Sequence, residues 1–398
     1  MSKTSSCLKN FSIIGAYSFC IGLFFSVALN SIGFGILIGS ALLQIICNKD
    51  VRTTFINFNK THKLWLIVFY IVTLAFIGVF FCIDRLNAFS ITKKYARLLS
   101  LLILPSLFIH TPSLEKHFLK GFAWTGAIYC LFKIFYKNIN IINIIHTSVF
   151  IACICAFLAL KTLTTDRTTS NWVYWLRLTF FLGFLFLINS QKTGPIALII
   201  SMAVLFVIVI YKHFPLHPKV VTLALLFSGF IIVSTLSRST LFQRATNLHG
   251  TSYTTRITML EQSYVLIKEN PLHICTNSFV EGLKSHNFAH LGTVGDAIYK
   301  HAHPHNEWVL WVVQWGVWGL IAVFAFFSYI LHYFSTIVRQ KGTGIQFFYA
   351  TFAILLTFIY IVSGCCEAIF FQTLPQSAYI FGLTICFSHC FRYKRAKA

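Results

Sequence analysis

The sequence predicts an all-α fold: a polytopic helical membrane protein of about 12 transmembrane helices with one long, helical loop on the outer face. Three observations carry that expectation. Of the 398 residues 57% are hydrophobic and only 11% charged, with 43 Phe beside 10 Asp plus Glu, and the mean hydropathy is +0.75. The apolar residues gather into runs near the roughly 20 residues that cross hydrocarbon. The Lys and Arg lie between those runs, mostly on alternate sides. A soluble chain of this size has no interior large enough for so much apolar surface, so soluble, disordered, fibrous and secreted disulfide-scaffold classes are excluded.

In order, the expected spans are 11–29, 31–47, 64–83, 95–110, 119–136, 143–160, 172–189, 194–211, 219–235, 308–332, 346–363 and 375–390. The first lacks a small-residue cleavage site and is followed at once by another, so it reads as a span and not a cleaved signal. The fourth is short and carries Pro105, which predicts a kink or re-entry. With both ends cytoplasmic, the inner segments hold most of the cations, among them Lys49, Arg52, Lys60, Lys116, Lys120, Arg392 and Arg395. The outer ones hold fewer, namely Arg85, Lys93, Lys94, Arg97, Lys133, Lys137 and Lys192. That is the positive-inside bias. The chain therefore divides into nine spans over 1–235, an outer loop over 236–307, and three spans with a basic tail over 308–398.

A formal charge of +22 would suit a nucleic-acid binder only if it formed one basic face. Spread between spans, it suits membrane lipids and anionic lipid-linked substrates, and no nucleic-acid partner is expected. Most of the 12 Cys sit inside apolar runs, as Cys20, Cys130, Cys153, Cys155 and Cys386 do, and read as small buried hydrophobes. Cys275 lies in the polar loop with no evident partner, so no structural disulfide is expected.

The loop holds half of the chain's carboxylates and nearly half of its His. Within it, Ile257, Leu260, Tyr264, Leu266 and Ile267 fall at roughly helical spacing, Lys268 sits near the end and Pro271 stops the run. This predicts a helical cap, and loops on a rigid scaffold tend to carry chemistry.

The densest polar cluster is KHAHPHNEW, residues 300–308. Pro304 restrains His303 to an extended conformation and suits a helix start, which puts His305 and Asn306 at the outer face where the tenth span begins. A neutral His there can take a proton from a hydroxyl as general base. The plain alternative is that His301, His303 and His305 are solvated interface residues. A metal reading exists because alternating His on an extended segment point the same way, but no nearby Cys or carboxylate completes a familiar set. No metal is expected.

Lys192, in the tight outer turn NSQKTGPIA, places a charge beside hydrocarbon, which is functional or snorkelling. It falls on the same face as His305. Arg256, at the start of the loop helix, can hold phosphate oxygens, or be an exposed surface Arg. Outer Arg85, Lys93, Lys94 and Arg97 run against the charge bias and suit headgroups or an anionic acceptor. There is no Asp-x-Asp pair in the loop, no P-loop, no GxSxG and no HExxH. Charge inside the spans is almost missing, with Arg177 near an inner end and Glu367 near an outer one, which argues against an ion-coupled transporter.

Over about residues 185–325 the chain resembles the O-antigen ligase and polymerase superfamily of bacterial envelope enzymes. The resemblance rests on SQKTGPIA, a span pair, TTRITMLEQSYVLIKENPL, and HPHNEWVLWVVQWGVWGL. In the last run His305-Asn306 and Gly316/Gly319 match the family's His-Asn and Gly-x-x-Gly-Leu pattern. Two positions depart: Lys192 stands where the family more often has Arg, and LHICTNSF replaces a Gly-x-Gly turn. The resemblance implies a glycosyltransferase of the bacterial inner membrane, working on its periplasmic face without cofactor or metal. His305 is then the catalytic base, supported by His303 and Asn306, and Lys192 and Arg256 hold a lipid diphosphate. It further implies an undecaprenyl-diphosphate-linked glycan as donor and the lipid A-core oligosaccharide as acceptor. An O-antigen polymerase and a protein O-oligosaccharyltransferase share these residues and differ in acceptor. A lipid-linked glycan flippase, the alternative from another class, needs a polar path through the bundle.

Overall fold

The computed structural model describes residues 3–135, 144–164, 171–185, 193–213, 251–276, 278–285, 303–340, 344–370 and 372–397. Every regular element among them is helical. The helices are α1 (Lys3–Phe25), α2 (Val27–Cys47), α3 (Lys49–Thr61), α4 (Leu64–Phe80), α5 (Arg85–Ala96), α6 (Ser100–His110), α7 (Pro112–Phe135), α8 (Ile144–Thr164), α9 (Asn171–Gly183) and α10 (Thr193–His213). After them come α11 (Thr251–Glu269), α12 (Ser278–Ser285), α13 (Glu307–Arg339), α14 (Gly344–Gly364) and α15 (Thr373–Lys397). Among the described residues five helices are long and apolar enough to cross a bilayer, α1 (from Cys7), α2, α7, α13 and α14, and a bent pair makes up to six. The chain is a multi-pass helical membrane protein. The expected span at 219–235 lies outside the described residues, as do His301 and Lys192.

Most expected spans coincide with a helix, and the differences have local causes. The break between the first two falls at Ser26, earlier than expected, because its hydroxyl caps α2 by accepting from the Leu29 N–H at 3.2 Å. Segment 48–63 is not a plain linker. Asn48 caps α3, which buries Val51, Thr54 and Phe58 along one face and turns 83° into α4. One apolar face with Lys49, Asp50, Arg52 and Lys60 elsewhere suits a helix lying along a membrane surface. The short fourth span is α6, with Pro105 inside it, and continues from α5 through a 3-10 turn, Arg97–Leu99.

The tenth span departs most. Within α13, Trp315 and Gly316 leave helical geometry, Gly316 at φ 55° and ψ −141°. The break lets the segment after α11 enter the helix's hydrogen bonding: Val317 N–H donates to the Pro271 carbonyl at 2.9 Å, and Cys275 N–H to the Gln314 carbonyl at 2.7 Å. A Cβ at Gly316 would collide with the Pro271 carbonyl oxygen. Positive φ and close backbone approach both demand glycine.

The same segment is tied to α4. Thr276 donates to the Ala75 carbonyl at 2.7 Å, and Glu281 on α12 accepts from the N–H groups of Ile83 and Asp84 at 3.2 and 3.0 Å. Contrary to the expectation for Cys275, it forms a disulfide with Cys82, at the end of the third apolar run. A separation of 193 residues hid the pairing. Folding of the loop onto α4 creates it, and nothing in local spacing signals it. At the opposite end of the bundle, Glu115 on α7 accepts from Tyr349 on α14 and meets His389 on α15, while Arg392 Nε donates to the Ile109 carbonyl at 3.1 Å.

Candidate functional site

The site forms where the start of α13 meets the turn after α14. Asn306 is the N-cap of α13, its Oδ1 accepting from Val309 N–H at 3.1 Å while its Nδ2 donates to the Cys365 carbonyl at 3.1 Å. The next residue, Glu307, is fully buried and accepts from Phe370 N–H at 2.8 Å and from Trp311 Nε1. Trp308 Nε1 points at Cys365 Sγ, 3.3 Å away. Three consecutive side chains thus fix the 365–370 turn against the helix start.

That turn carries Glu367, whose carboxylate is 2% exposed and joins two of the expected site residues. Its Oε2 lies 3.0 Å from His305 Nδ1 and its Oε1 accepts from Arg256 Nη2 at 3.1 Å. Arg256 Nη1 also donates to the Cys366 carbonyl at 3.2 Å, and the guanidinium remains 39% exposed. His303 stands beside His305, ring centroids 4.7 Å apart, its Nδ1 accepting from the His305 N–H at 3.3 Å. His305 adopts φ 53°, the one positive φ outside glycine among the described residues. A non-glycine residue held there stores about 1–3 kcal/mol, and such strain clusters at functional sites. Here it aims the imidazole of His305 at Glu367.

Burial alone would raise the Glu367 carboxyl. The hydrogen bond and charge of His305, then the charges of Arg256 and His303, outweigh burial and hold the carboxyl below its usual range. Glu367 is therefore an anion at neutral pH. The contact to Glu367 is made through His305 Nδ1, so the imidazole is oriented by the carboxylate.

His303, His305 and Glu367 bring potential metal-ligand atoms within 4.8 Å of one another. This corrects the expectation that no carboxylate completes the set: Glu367 arrives from 62 residues along the chain. The set suits a cation poorly, because the Arg256 guanidinium already occupies one carboxylate oxygen and repels a second positive charge.

Of the expected site residues, the fold brings His303, His305, Asn306 and Arg256 together. Lys192 lies outside the described residues, but Gly194, two positions on, donates its N–H to Ser148 Oγ on α8 at 2.7 Å. Also on α8, His146 feels the charge of Glu367 and has neither ring nitrogen hydrogen-bonded. Glu367 and His146 were not singled out as site residues. For Glu367 a signal existed, since it is the sole carboxylate after Glu307 in a stretch of apolar helices, and such a charge is rarely idle. A cavity of about 640 Å³ lies elsewhere, lined mainly by apolar side chains of α7, α8, α9, α14 and α15, with Lys120 and Arg177 among them.

Fold and site together define a multi-pass helical membrane protein with a histidine–glutamate–arginine cluster where the start of α13 meets the turn after α14. Residues 178–324 match the family model described as O-antigen ligase, and over that segment the chain is similar to the O-antigen ligase and polymerase superfamily. The match takes in Arg256, His303, His305, Asn306 and the Gly316 break, and stops before Glu367. A comparison with curated proteins returned no match.

Proposed function

We propose that the chain is an O-antigen ligase: a glycosyltransferase of the bacterial inner membrane that moves a glycan from undecaprenyl diphosphate to the lipid A-core oligosaccharide on the periplasmic face. The observation that carries this reading is the bridge His305–Glu367–Arg256, which couples a base to a phosphate-binding cation through one carboxylate. Glu367 holds the Nδ1–H of His305, and Nε2 takes the proton of the acceptor hydroxyl. The hydroxyl oxygen bonds to the anomeric carbon as the bond from that carbon to the diphosphate breaks. Arg256 and Lys192 receive the departing negative charge, so the leaving group needs no strong acid.

Sidedness has support of its own. In the expected topology Cys82, Cys275 and His305 share the outer face, and a disulfide persists in an oxidising compartment such as the periplasm. The test is the lipopolysaccharide of a strain lacking the protein, with its lipid-linked glycan pool assayed alongside. Loss of capped lipopolysaccharide, with long glycans accumulating on undecaprenyl diphosphate, is the ligase result. Single repeat units still joined to core would make the chain a polymerase, and an unchanged ladder would turn the search to glycoproteins or transport.

A further inference from the structure

The cavity between α7, α8, α9, α14 and α15 has no part in the transfer reading. At about 640 Å³ it has the size of pockets that enclose small ligands. Its walls are apolar, with Phe150, Phe157, Phe181, Phe352 and Leu356 among them. The charged groups of its lining are two cations, Lys120 and Arg177, with no carboxylate among the described residues. The exposed side chains of Trp124 on α7 and Leu176 on α9 belong to the same lining, so the cavity opens sideways from the bundle toward hydrocarbon.

In the expected topology α7, α9 and α14 all enter the membrane from the inner side. Along them Lys120 precedes Ala127, Arg177 precedes Phe181 and Tyr349 precedes Leu356, which puts both cations and the tyrosine at the inner end of the lining. Tyr349 is tied to the start of α7 through Glu115. Lys120 and Arg177 are exposed, and neither makes an ion pair or hydrogen bond with a described residue. Glu115 itself meets His389 and has Arg392 within electrostatic reach, so a cation already faces that carboxylate. Tyr349 lies in the first turns of α14 and Glu367 just beyond its last. The charged end of the cavity is therefore roughly 20 Å of helix away from the His305–Glu367 contact.

We propose that this cavity binds an anionic phospholipid of the inner leaflet, with its phosphate on Lys120 and Arg177 and an acyl chain along the apolar wall. Two cations at the mouth of an apolar slot complement the charge and the chain of such a lipid together. The donor lipid of the transfer reading offers similar chemistry, but its diphosphate must reach Arg256 beyond the far end of α14, which it cannot do while held here. The inference rests on the membrane fold and stands whether or not the chain transfers glycan. The full chain is reconstituted in nanodiscs of mixed phosphatidylglycerol and phosphatidylcholine, and native mass spectrometry counts the lipids retained on release from the disc.

The unaltered chain should retain phosphatidylglycerol in preference to phosphatidylcholine. Lys120→Gln and Arg177→Gln should each lower that retention roughly fivefold, and Lys120→Arg should keep it. Ala127→Phe, which fills the slot and leaves both cations, should lower it as far. Lys60→Gln removes an exposed cation of α3 outside the lining and should leave retention unmoved. Thermal unfolding screens each variant for folding, and the two charge variants, on exposed side chains, decide the site even if Ala127→Phe does not fold. Equal loss in Lys60→Gln would mean diffuse attraction to the headgroup layer, and full retention by a folded Ala127→Phe would put the lipid outside the cavity. Either result overturns the proposal, as does retention unmoved in both charge variants. Displacement of phosphatidylglycerol by an equimolar amount of undecaprenyl phosphate would also overturn it, by making the donor lipid the occupant.

Discussion

At the residue scale, the proposed role of His305 depends on its contact with Glu367. A surface histidine is a base of indifferent orientation, whereas one hydrogen-bonded through Nδ1 to a buried anion presents a fixed Nε2 lone pair. Glu367→Gln keeps the size and removes the charge, and should lower the rate of transfer by roughly 10²–10⁴-fold, the range of a lost general base. Single-turnover kinetics on donor-loaded protein checks this against a binding defect. A second consequence concerns pH. Because the folded carboxyl titrates below its unfolded value, the stability it contributes is full above the ordinary carboxylate range and disappears as pH falls through the lowered folded value. Thermal unfolding of the unaltered chain and of Glu367→Gln should therefore differ at neutral pH and converge in acid. The sequence made His303, His305, Asn306 and Arg256 legible because they crowd into polar stretches beside apolar runs. It showed Glu367 as a lone carboxylate near a span end but not its contact with His305, which depends on how α14 ends.

At the element scale, the broken α13 is the device that holds the cap in place. The expectation of one continuous tenth span failed for a physical reason: at the Gly316 break Val317 N–H donates to the Pro271 carbonyl, and Gln314 passes its carbonyl to Cys275 N–H. An apolar run reports burial and cannot report a break whose compensating partners lie some 40 residues earlier. Gly316→Ala forces a Cβ into the Pro271 carbonyl at a positive φ and should cost roughly 1–3 kcal/mol, read as a lower unfolding temperature and faster amide exchange in 271–276. The disulfide secures the same segment from the other side. Cys275→Ser should destabilise the fold by about 2–4 kcal/mol, measured against the same chain reduced with dithiothreitol, which should have no further effect on the variant. The long apolar helices were legible because hydrophobic runs are local, whereas the polar helices α3, α5 and α12, the disulfide and the break were not.

At the scale of the whole molecule, the account depends on which face the site occupies. Cys7 and Cys47 are free and exposed near inner ends of the expected topology, and Cys365 is free and exposed beside Glu367. A membrane-impermeant maleimide added outside spheroplasts should label Cys365 in a chain with the other free cysteines replaced, and should label Cys7 or Cys47 in the corresponding chains only after lysis. The charge bias and the disulfide both favour this outcome, and they are independent, one resting on Lys and Arg counts and the other on redox compartment. The measurement that tests the central claim most directly is transfer by purified protein in liposomes, with lipid-linked glycan as donor and lipid A-core as acceptor, comparing the unaltered chain with His305→Ala. The account predicts glycan joined to lipid A-core by the unaltered chain and none by His305→Ala folded to the same stability. Equal transfer by both would contradict the assignment of His305 as the base.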